Sequence, residues 1–422
     1  MYSVFNDEFA KEKVEADAIN KAFYGQFNYP WPPVLFQGFT GPGLAKMLNQ
    51  DVGHFGQRRV PERAKIWVAG CGTNQALITA MKYPQAEVTG TDISVESLRL
   101  CRRNADQMKV GNLTLQEKSI NEVEYRAAFD YVICTGVIHH NADPQFTLAK
   151  LAEALAPDGV LELMVYNYYH RIMHVAVQKA IRGLATSKLD FSSQFEVAKK
   201  LIRNFPYQNL VSNFLSAYKY AQDAEIADGI CQPIEFSYTV ETLGDMMSAC
   251  NLEYLLPCLN QFDKAGQGSG WNTKFVDQEI ARTYDALPDV ERWQLSNLLM
   301  LNESPMLWFY MQRKSSRYPR KPESQVCDEF LETKFQKSTL EIRNYRLDQH
   351  DGIYKPDPVP MAFPQPYSPA DAQARLVFDH FDPRYPLKDT LHKLGIAPSC
   401  RLVNHLRNHL ATTARPYLQA VE

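Results

Sequence analysis

Hydrophobic and polar positions follow two different patterns that alternate between residues 65 and 166. Short apolar runs are followed by longer segments whose apolar positions recur with helical spacing. Strands that alternate with helices in this way imply right-handed crossovers and a parallel sheet. The predicted strands are 65–70, 87–92, 113–116, 129–135 and 160–166, the predicted helices are 74–81, 94–108 and 143–155, and a turn is predicted at 157–159.

The alternation pauses after residue 166 and resumes later. Residues 170–236 read as helices with aromatic and Asn/Gln-rich loops, and a further helix is predicted over 239–250 with Thr239 as its N-cap. Two apolar runs, 252–256 and 306–311, are predicted to be additional strands of the same sheet, and the stretch between them is helical from residue 276 to 302.

The composition changes after residue 313. Arg313, Lys314, Arg317, Arg320 and Lys321 cluster there with two prolines, and we interpret the cluster first as a solvated linker and second as a phosphate-binding patch. We therefore divide the chain into an N-terminal helical and proline-aromatic lid segment, a strand–helix core, a helical cap insert, the remainder of the sheet and a C-terminal helical module. Their bounds are 1–60, 61–169, 170–238, 239–314 and 315–422.

Composition and charge exclude several classes of protein. The chain has 422 residues, of which 45% are hydrophobic and 22% charged, so it is not a disordered chain. Its net charge of −3 argues against a surface coated with basic charge for bulk nucleic-acid binding. Eight cysteines without C-x-x-C spacing indicate free thiols in a reducing compartment. The uncharged stretch 22–45 is interrupted by prolines and glycines and is not a membrane span, so we predict a soluble cytoplasmic protein.

The first predicted strand runs into Gly70 and Gly72 and then into a helix. Glycines let the backbone turn sharply and approach a ligand closely, while the helix N-terminus presents unpaired N–H groups to it. Asp92 ends the second strand, where a carboxylate can accept hydrogen bonds from both hydroxyls of a ribose. These features indicate an adenosine-containing cofactor, but they do not separate nicotinamide dinucleotides from S-adenosylmethionine.

Three features favour S-adenosylmethionine. Gln75 stands where a dinucleotide fingerprint has its third glycine, the fourth strand continues as Thr-Gly-Val-Ile-His-His, and Pro-Asp-Gly precedes the fifth strand. In these motifs the sequence resembles the class I S-adenosylmethionine-dependent methyltransferases, especially the bacterial proteins that read A-G-C-G-T-G-Q, then S-G-V-L-H-H-x-x-D-P, then L-x-P-G-G. The resemblance covers about residues 29–310. It implies an α/β fold with a Rossmann-like, seven-stranded, mostly parallel sheet, a helical cap insert and a mainly helical C-terminal module.

The resemblance also implies a cofactor site for S-adenosyl-L-methionine, with S-adenosyl-L-homocysteine as the product. Ala69, Gly70 and Gly72 would face the methionine part of the cofactor, Asp92 would hold the ribose, and Ile93 would pack on the adenine. Thr135 and Gly136 would lie near the transferable methyl group. Asn74 and Gln75 would belong to the loop, and Ser119 and Ile120 would lie beside the adenine amino group.

Two of these positions depart from the family pattern. Ser119 replaces the acid that the family commonly has beside the adenine amino group. Asn74 replaces the last glycine of the loop motif and should narrow the loop without abolishing binding.

His139 and His140 are the candidate catalytic residues. Methyl transfer is an in-line displacement, so the enzyme mainly positions its reactants, and a base is needed only where the acceptor must lose a proton. Histidine can take that proton. In the alternative interpretation one of the two caps the next helix near Asp143 and the other packs in the core. The residues expected to contact substrate are Tyr29, Trp31, Tyr166, Asn167, His170, Arg171 and Tyr238.

Other sites are disfavoured. The pairs His170/His174 and His405/His409 have i, i+4 spacing, but neither comes with a cysteine or acid at ligand spacing, so we predict no metal site. A Ser-His-Asp hydrolase is disfavoured because no G-x-S-x-G elbow follows a strand.

Three hypotheses about function remain. The first is a methyltransferase of a small-molecule acceptor, with no membrane or nucleic-acid partner and with a homodimer as an open alternative. The second is a methyltransferase of a protein or RNA docked by the C-terminal module, and the third is a non-catalytic cofactor-binding interaction protein.

Overall fold

The computed structural model describes residues 13–26, 33–56, 59–186, 190–259, 271–362 and 368–421. Its strands, in chain order, are β1 Leu35–Phe39, β2 Lys65–Ala69, β3 Glu87–Asp92, β4 Leu113–Glu117, β5 Phe129–Thr135, β6 Leu155–Val165, β7 Leu252–Pro257, β8 Leu307–Arg313, β9 Phe335–Lys337, β10 Glu341–Leu347, β11 Tyr354–Pro356, β12 Met361–Ala362 and β13 Leu418–Ala420.

Sixteen α-helices are present in the described residues. They are α1 Lys13–Gln26, α2 Leu44–Asp51, α3 Gln75–Lys82, α4 Val95–Gln107, α5 Pro144–Ala154, α6 Tyr168–Leu184, α7 Phe191–Asn204, α8 Leu210–Ser216, α9 Asp223–Ile230, α10 Val240–Ala249, α11 Gln278–Asp285, α12 Asp289–Met300, α13 Glu323–Glu332, α14 Ala372–His380, α15 Leu387–Lys393 and α16 Cys400–Leu410. Short 3-10 turns lie at Ile120–Glu122, Ile138–His140 and Leu301–Glu303.

Seven strands form one sheet in the order β4-β3-β2-β5-β6-β8-β7. The pairs among β2 to β6 are parallel, and β8 runs antiparallel to both β6 and β7. The seven-stranded, mostly parallel, Rossmann-like sheet predicted from the sequence is therefore confirmed, and so is the assignment of 252–256 and 306–311 to the same sheet.

Both faces of this sheet are buried, as a parallel sheet requires. Side chains alternate along β2, so that Ile66 and Val68 join the apolar core on one face while Trp67 and Ala69 join the core on the other. All four side chains are fully buried. Burial on both faces leaves only the two ends of the strands accessible.

Capping residues set the helix starts that the sequence predicted. Ser94 accepts a hydrogen bond from the Ser97 N–H at the start of α4, and Thr239 accepts one from the Thr242 N–H at the start of α10. The predicted turn at 157–159 falls within the bounds of β6, but residues 156–159 have no partners on β5, because the register jumps from Phe129–Leu155 to Tyr131–Val160. The chain therefore bulges out of the ladder where the sequence predicts a turn.

The helical insert α6–α9 has an apolar core of its own, and α1 packs against it through Phe23. The C-terminal part is helical in α13–α16, yet it also contributes short strands that the sequence did not predict. Among them β10 pairs antiparallel with β1 and β13 with β9. No helix within the described ranges is both long and apolar enough to cross a bilayer.

The contact between β3 and α3 provides a test of how tightly the sheet is packed. A Cβ added to Gly90 would stand 2.6 Å from Cβ of Ala76 and 3.1 Å from Sγ of Cys71. We expect Gly90→Ala to lower the free energy of unfolding by about 1–3 kcal/mol, because a filled core accepts an extra carbon only by shifting. The control is Gly111→Ala, which has nothing within 4 Å and should change stability by about 0.5 kcal/mol or less. Equal urea-unfolding curves for the two variants would contradict this packing.

Candidate functional site

The candidate site lies at the carboxyl ends of the parallel strands, where open α/β sheets bind their ligands. The loop after β2 turns through Gly70 and Gly72, whose φ angles are +66° and +53°. A Cβ on Gly70 would stand 2.6 Å from both methyl groups of Val137, so any other residue would meet backbone strain and a steric clash. Glycine is thus required at Gly70 by the path of the loop itself.

Asp92 joins this loop to the end of β3. Its Oδ2 accepts the N–H of Gly72 at 2.8 Å, and its Oδ1 accepts the N–H of Ser94 at 2.8 Å. Burial raises the pKa of the Asp92 carboxyl, and hydrogen bonds from the backbone N–H groups of Ser94, Gly72 and Ile93 oppose that rise. The half-buried side chain therefore fixes the relative position of the first two loops.

Three more predicted residues connect the loop to β5 and β6. The Gln75 side chain at the start of α3 donates to Oγ1 of Thr135 at 2.5 Å, and the N–H of Gly136 donates to the carbonyl of Met164 at 3.1 Å. Gly136 has a φ of +77°. Of the other predicted cofactor residues, Ala69 is fully buried at the end of β2 and Asn74 is buried at the N-cap of α3.

Ser119 meets a residue that sequence reasoning missed. Its Oγ donates to Oδ2 of Asp17 on α1 at 2.6 Å and accepts the N–H of Asn121 at 3.2 Å, while Ile120 beside it is buried. Asp17 thus brings a carboxylate next to the position where the family pattern has an acid. No local signal could have revealed this, because 102 residues separate the two side chains.

Two further contacts place α1 across the carboxyl ends of the strands. Nδ2 of Asn20 donates to the carbonyl of His140 at 2.7 Å, and Nζ of Lys21 lies 2.8 Å from Oε1 of Glu117 at the end of β4. The N-terminal helix therefore covers part of the site.

His139 and His140 lie in the turn after β5, and both are buried. The His140 ring is held by a 2.8 Å contact between Nδ1 and the carbonyl of Ile234. The His139 ring packs against Tyr166, with centroids 3.9 Å apart, and neither of its ring nitrogens has a hydrogen-bond partner among the described residues. Neither ring caps α5, because Asp143 does so itself by accepting the N–H of Phe146 at 2.9 Å.

Burial keeps both histidines neutral. It lowers the pKa of His139 well below the usual value of 6.5, with His140 and Arg171 lowering it further. It also lowers the pKa of His140, although Asp228, the Ile234 carbonyl and Glu235 counteract it. Both rings are therefore in the form that can accept a proton at neutral pH, and both are weak bases.

Arg171 is committed to a buried ion pair. Its Nε donates to Oε1 of Glu235 at 2.7 Å, its Nη2 donates to the carbonyl of Gly229 at 3.1 Å, and its guanidinium lies 4.1 Å from the centre of the Tyr166 ring. Gln178 donates to Oε2 of Glu235 at 2.9 Å. The sequence predicted Arg171 as a substrate contact. The structure shows it tying the helical insert to the end of β6.

Asn167 and Tyr238 extend the sheet edge. The Asn167 side chain donates to Oγ of Ser304 at 2.7 Å and to the carbonyl of Pro305 at 2.8 Å. The Tyr238 N–H donates to the carbonyl of Tyr166 at 2.9 Å, and its half-buried ring packs against the core of the sheet. Both residues thus stand beside Tyr166, and Asn167 is fully buried and engaged with the protein.

The remaining predicted substrate residues are placed only in part. His170 is half-buried on α6, with its ring 6.4 Å from that of His174. Tyr29 and Trp31 lie outside the described residues, so their contact with substrate stays a prediction.

An acid that the sequence analysis did not connect lies beside the second histidine pair. Asp371 is the N-cap of α14, and its Oδ1 lies 3.1 Å from Nε2 of His405 on α16. One possible ligand atom each from Asp371, His405 and His409 lie within 4.8 Å of one another. The contact ties α16 to α14.

Comparisons with known proteins agree with the fold. The protein family described as "Methyltransferase domain" matches residues 67–208. The solved structure of PKMT2 from Rickettsia typhi is similar over 93% of this chain and 77% of that chain, with a TM-score of 0.56 and 15% identity. Its complex with AdoHcy has the same TM-score at 17% identity. At these identities the likeness concerns the fold.

Curated relatives are similar over part of their length. An uncharacterized protein of a Synechococcus strain is 29% identical over 250 residues, which are 57% of this chain and 60% of that protein. The ubiquinone biosynthesis O-methyltransferase of Photorhabdus laumondii is 28% identical over 32% of this chain and 53% of the enzyme. The trans-aconitate 2-methyltransferase of Deinococcus radiodurans is 34% identical over 28% of this chain and 45% of the enzyme. The chain thus spans between 45% and 60% of the length of these relatives.

The buried ion pair gives a stability prediction with a pH dependence. Replacing Arg171 by Met leaves Glu235 buried without its cation, which should lower the free energy of unfolding by about 3–5 kcal/mol at pH 7. The control is Arg317→Met, since Arg317 is 72% exposed and its pair with Asp158 should contribute about 1 kcal/mol or less.

The sign of the pH dependence follows from Glu235. Burial raises its pKa, but the Arg171 guanidinium and the Gln178 side chain outweigh burial and hold the pKa below its ordinary value. The Glu235 carboxylate therefore stabilises the wild type at pH values above the ordinary pKa of glutamate, and this stabilisation is lost as the pH falls through the lowered pKa. In Arg171→Met the buried carboxyl favours its protonated form, so the gap between variant and wild type should narrow from pH 7 towards pH 5. Denaturant titrations in which the difference in unfolding free energy between variant and wild type stays constant from pH 7 to pH 5 would contradict this explanation.

Proposed function

We propose that the protein is an S-adenosylmethionine-dependent methyltransferase that acts on a small-molecule acceptor. The observation that carries the proposal is the half-buried carboxylate of Asp92, which Gly72 and Ser94 hold at the carboxyl edge of the sheet. A carboxylate has about four acceptor positions, so Asp92 can also accept from ribose hydroxyls. The match of residues 67–208 to a methyltransferase domain and the names of two curated relatives support the same activity.

The residues at this edge fit such a cofactor. The loop turns through Gly70 and Gly72, both at positive φ, and Ile93 is half-buried at the end of β3, where it can pack on a flat ring. Bound S-adenosylmethionine would supply an electrophilic methyl group. The protein's own part is to orient the cofactor through Asp92 and the loop backbone, with Thr135 and Gly136 at the neighbouring strand end.

The acceptor side would be formed by the turn after β5 and the end of β6. His139 and Tyr166 pack against each other there and are buried, with α1 contacting the His140 carbonyl and Arg171 of the helical insert contacting the Tyr166 ring. Excluding water helps a nucleophile attack a sulfonium carbon. In this arrangement His140 is a positioning residue held by Ile234, and His139 is the histidine whose ring is available to accept a proton from the acceptor.

A small acceptor is favoured because the basic cluster after β8 is not placed to dock a macromolecule at this edge. Arg317 pairs with Asp158 at 2.8 Å and Arg320 with Asp289 at 2.7 Å. Since β8 runs antiparallel to β6, its last residue, Arg313, lies at the opposite end of the sheet from Asp92. The cluster's charge is thus partly neutralised and faces away from the proposed site.

The first functional prediction concerns cofactor binding. Asp92→Ala removes the proposed acceptor of the ribose hydroxyls, and each hydrogen bond to a charged group contributes about 1.5–3 kcal/mol. Affinity for S-adenosylhomocysteine, measured by calorimetry, should therefore fall at least about tenfold. Glu96→Ala, which changes an exposed acid in the first turn of the next helix, is the matched control. Unchanged affinity in a folded Asp92→Ala protein would remove Asp92 from the site.

The second prediction separates the two histidines. If His139 accepts the proton, His139→Gln should reduce turnover about 10²–10⁴-fold, with S-adenosylhomocysteine affinity retained. Because burial lowers the pKa of His139 well below 6.5, the wild-type rate should be flat from pH 6 to pH 8. His140→Gln is the comparison. It should change the free energy of unfolding, because the His140 ring contacts the carbonyl of Ile234. Full turnover in His139→Gln would show that His139 accepts no proton and that the protein acts only by positioning the cofactor and the acceptor.

A further inference from the structure

Two cysteines from distant parts of the chain meet in the C-terminal part. Cys327 lies on α13 and Cys400 is the first residue of α16, and their sulfur atoms are 3.7 Å apart. Cys327 is buried, with 2% of its surface exposed, whereas Cys400 is half-buried at the edge of the same apolar core. The pair thus combines a partly exposed cysteine with a buried one whose thiol is in contact with it.

The surroundings of the two sulfurs differ. Cys400 sits in the first turn of α16, where the helix dipole favours negative charge, and Ser399 caps that turn by accepting the N–H of Leu402. The hydrogen bond between the two thiols lowers the pKa of Cys400, and the Arg292 guanidinium lowers it further, against the opposing effects of burial and of Glu323.

The partner thiol shows the opposite behaviour. The hydrogen bond with Cys400 and burial both raise the pKa of Cys327. Because Cys400 is the less buried of the two and has the Arg292 guanidinium nearby, we assign it as the attacking thiol. A thiolate is the nucleophile in thiol oxidation, and reactive cysteines are accessible, have a lowered pKa and often stand beside a second thiol.

We propose that Cys400 and Cys327 form an oxidation site that reacts with hydroperoxides and closes to a disulfide. In the first step the Cys400 sulfur attacks the terminal peroxide oxygen, the O–O bond breaks, and the leaving alkoxide takes a proton to give an alcohol, or water from hydrogen peroxide. Cys400 is then a sulfenic acid. In the second step the Cys327 sulfur attacks that sulfur, the S–O bond breaks, and water leaves with the Cys327 proton.

The geometry requires only a short movement. The two sulfurs must approach from 3.7 Å to the disulfide bond length of about 2.05 Å. Cys400 lies at a helix end, where a rotation of χ1 and a small shift of the first turn can supply this movement. The bond would tie α13 to α16 without involving any residue of the proposed methyltransferase site.

Cys250 provides a matched comparison within the same chain. It is also half-buried, but its sulfur donates to the carbonyl of Gln145 at 3.5 Å, and burial raises its pKa to about 11. In the part of the chain that the structure describes, its sulfur has no second thiol within hydrogen-bond distance, and its charged neighbour is the acid Asp143.

The test is to treat the reduced full-length protein with one equivalent of hydrogen peroxide, alkylate it in denaturant and map the peptides by mass spectrometry. We expect a cross-linked peptide pair containing Cys327 and Cys400, with the loss of 2 Da, at least about tenfold faster than any oxidation of Cys250. In Cys327→Ser the cross-link should vanish and a sulfenic acid at Cys400 should be trapped by dimedone.

Two results would overturn the proposal. One is recovery of Cys327 and Cys400 as alkylated thiols under conditions in which Cys250 is already oxidised. The other is a cross-link that joins either cysteine to a different partner. The wild-type peptide map decides the question even if the Cys327→Ser protein does not fold, and neither readout depends on methyltransferase activity.

Discussion

Burial of both faces of the parallel sheet is the constraint on which the rest of the structure depends. Because Ile66 and Val68 face one core and Trp67 and Ala69 the other, no ligand can approach β2 from its sides. Binding is confined to the strand ends, and the parallel arrangement brings the carboxyl ends of β2, β3, β5 and β6 to one edge. The loop glycines, Asp92 and the histidine turn meet there for that reason.

The elements of the sheet were predictable because their signals are local. Apolar runs of strand length, Ser94 and Thr239 as caps, and Asp92 at the end of a strand are each visible within a few residues of sequence. Pro-Asp-Gly is a local turn signal of the same kind. Residues 156–159 leave the ladder between β5 and β6 at this point, although they fall within the bounds of β6.

What the sequence could not predict depends on contacts between distant residues. Ser119 was identified as a departure from the family pattern, yet Asp17 reaches it from 102 residues away. Arg171 was expected to contact substrate, but the pairing that engages it comes from Glu235, 64 residues later. In both cases the side chain that engages the residue is one that only the fold brings near. The proposed function therefore rests on Asp92 and the loop, whose geometry agrees with local expectation.

The most direct test of the central claim is calorimetric titration of the full-length protein with S-adenosylmethionine and, in parallel, with NAD. The account predicts saturable one-to-one binding of S-adenosylmethionine and NAD binding that is at least about 100-fold weaker, a difference of roughly 2.7 kcal/mol. Tight binding of NAD without binding of S-adenosylmethionine would contradict it.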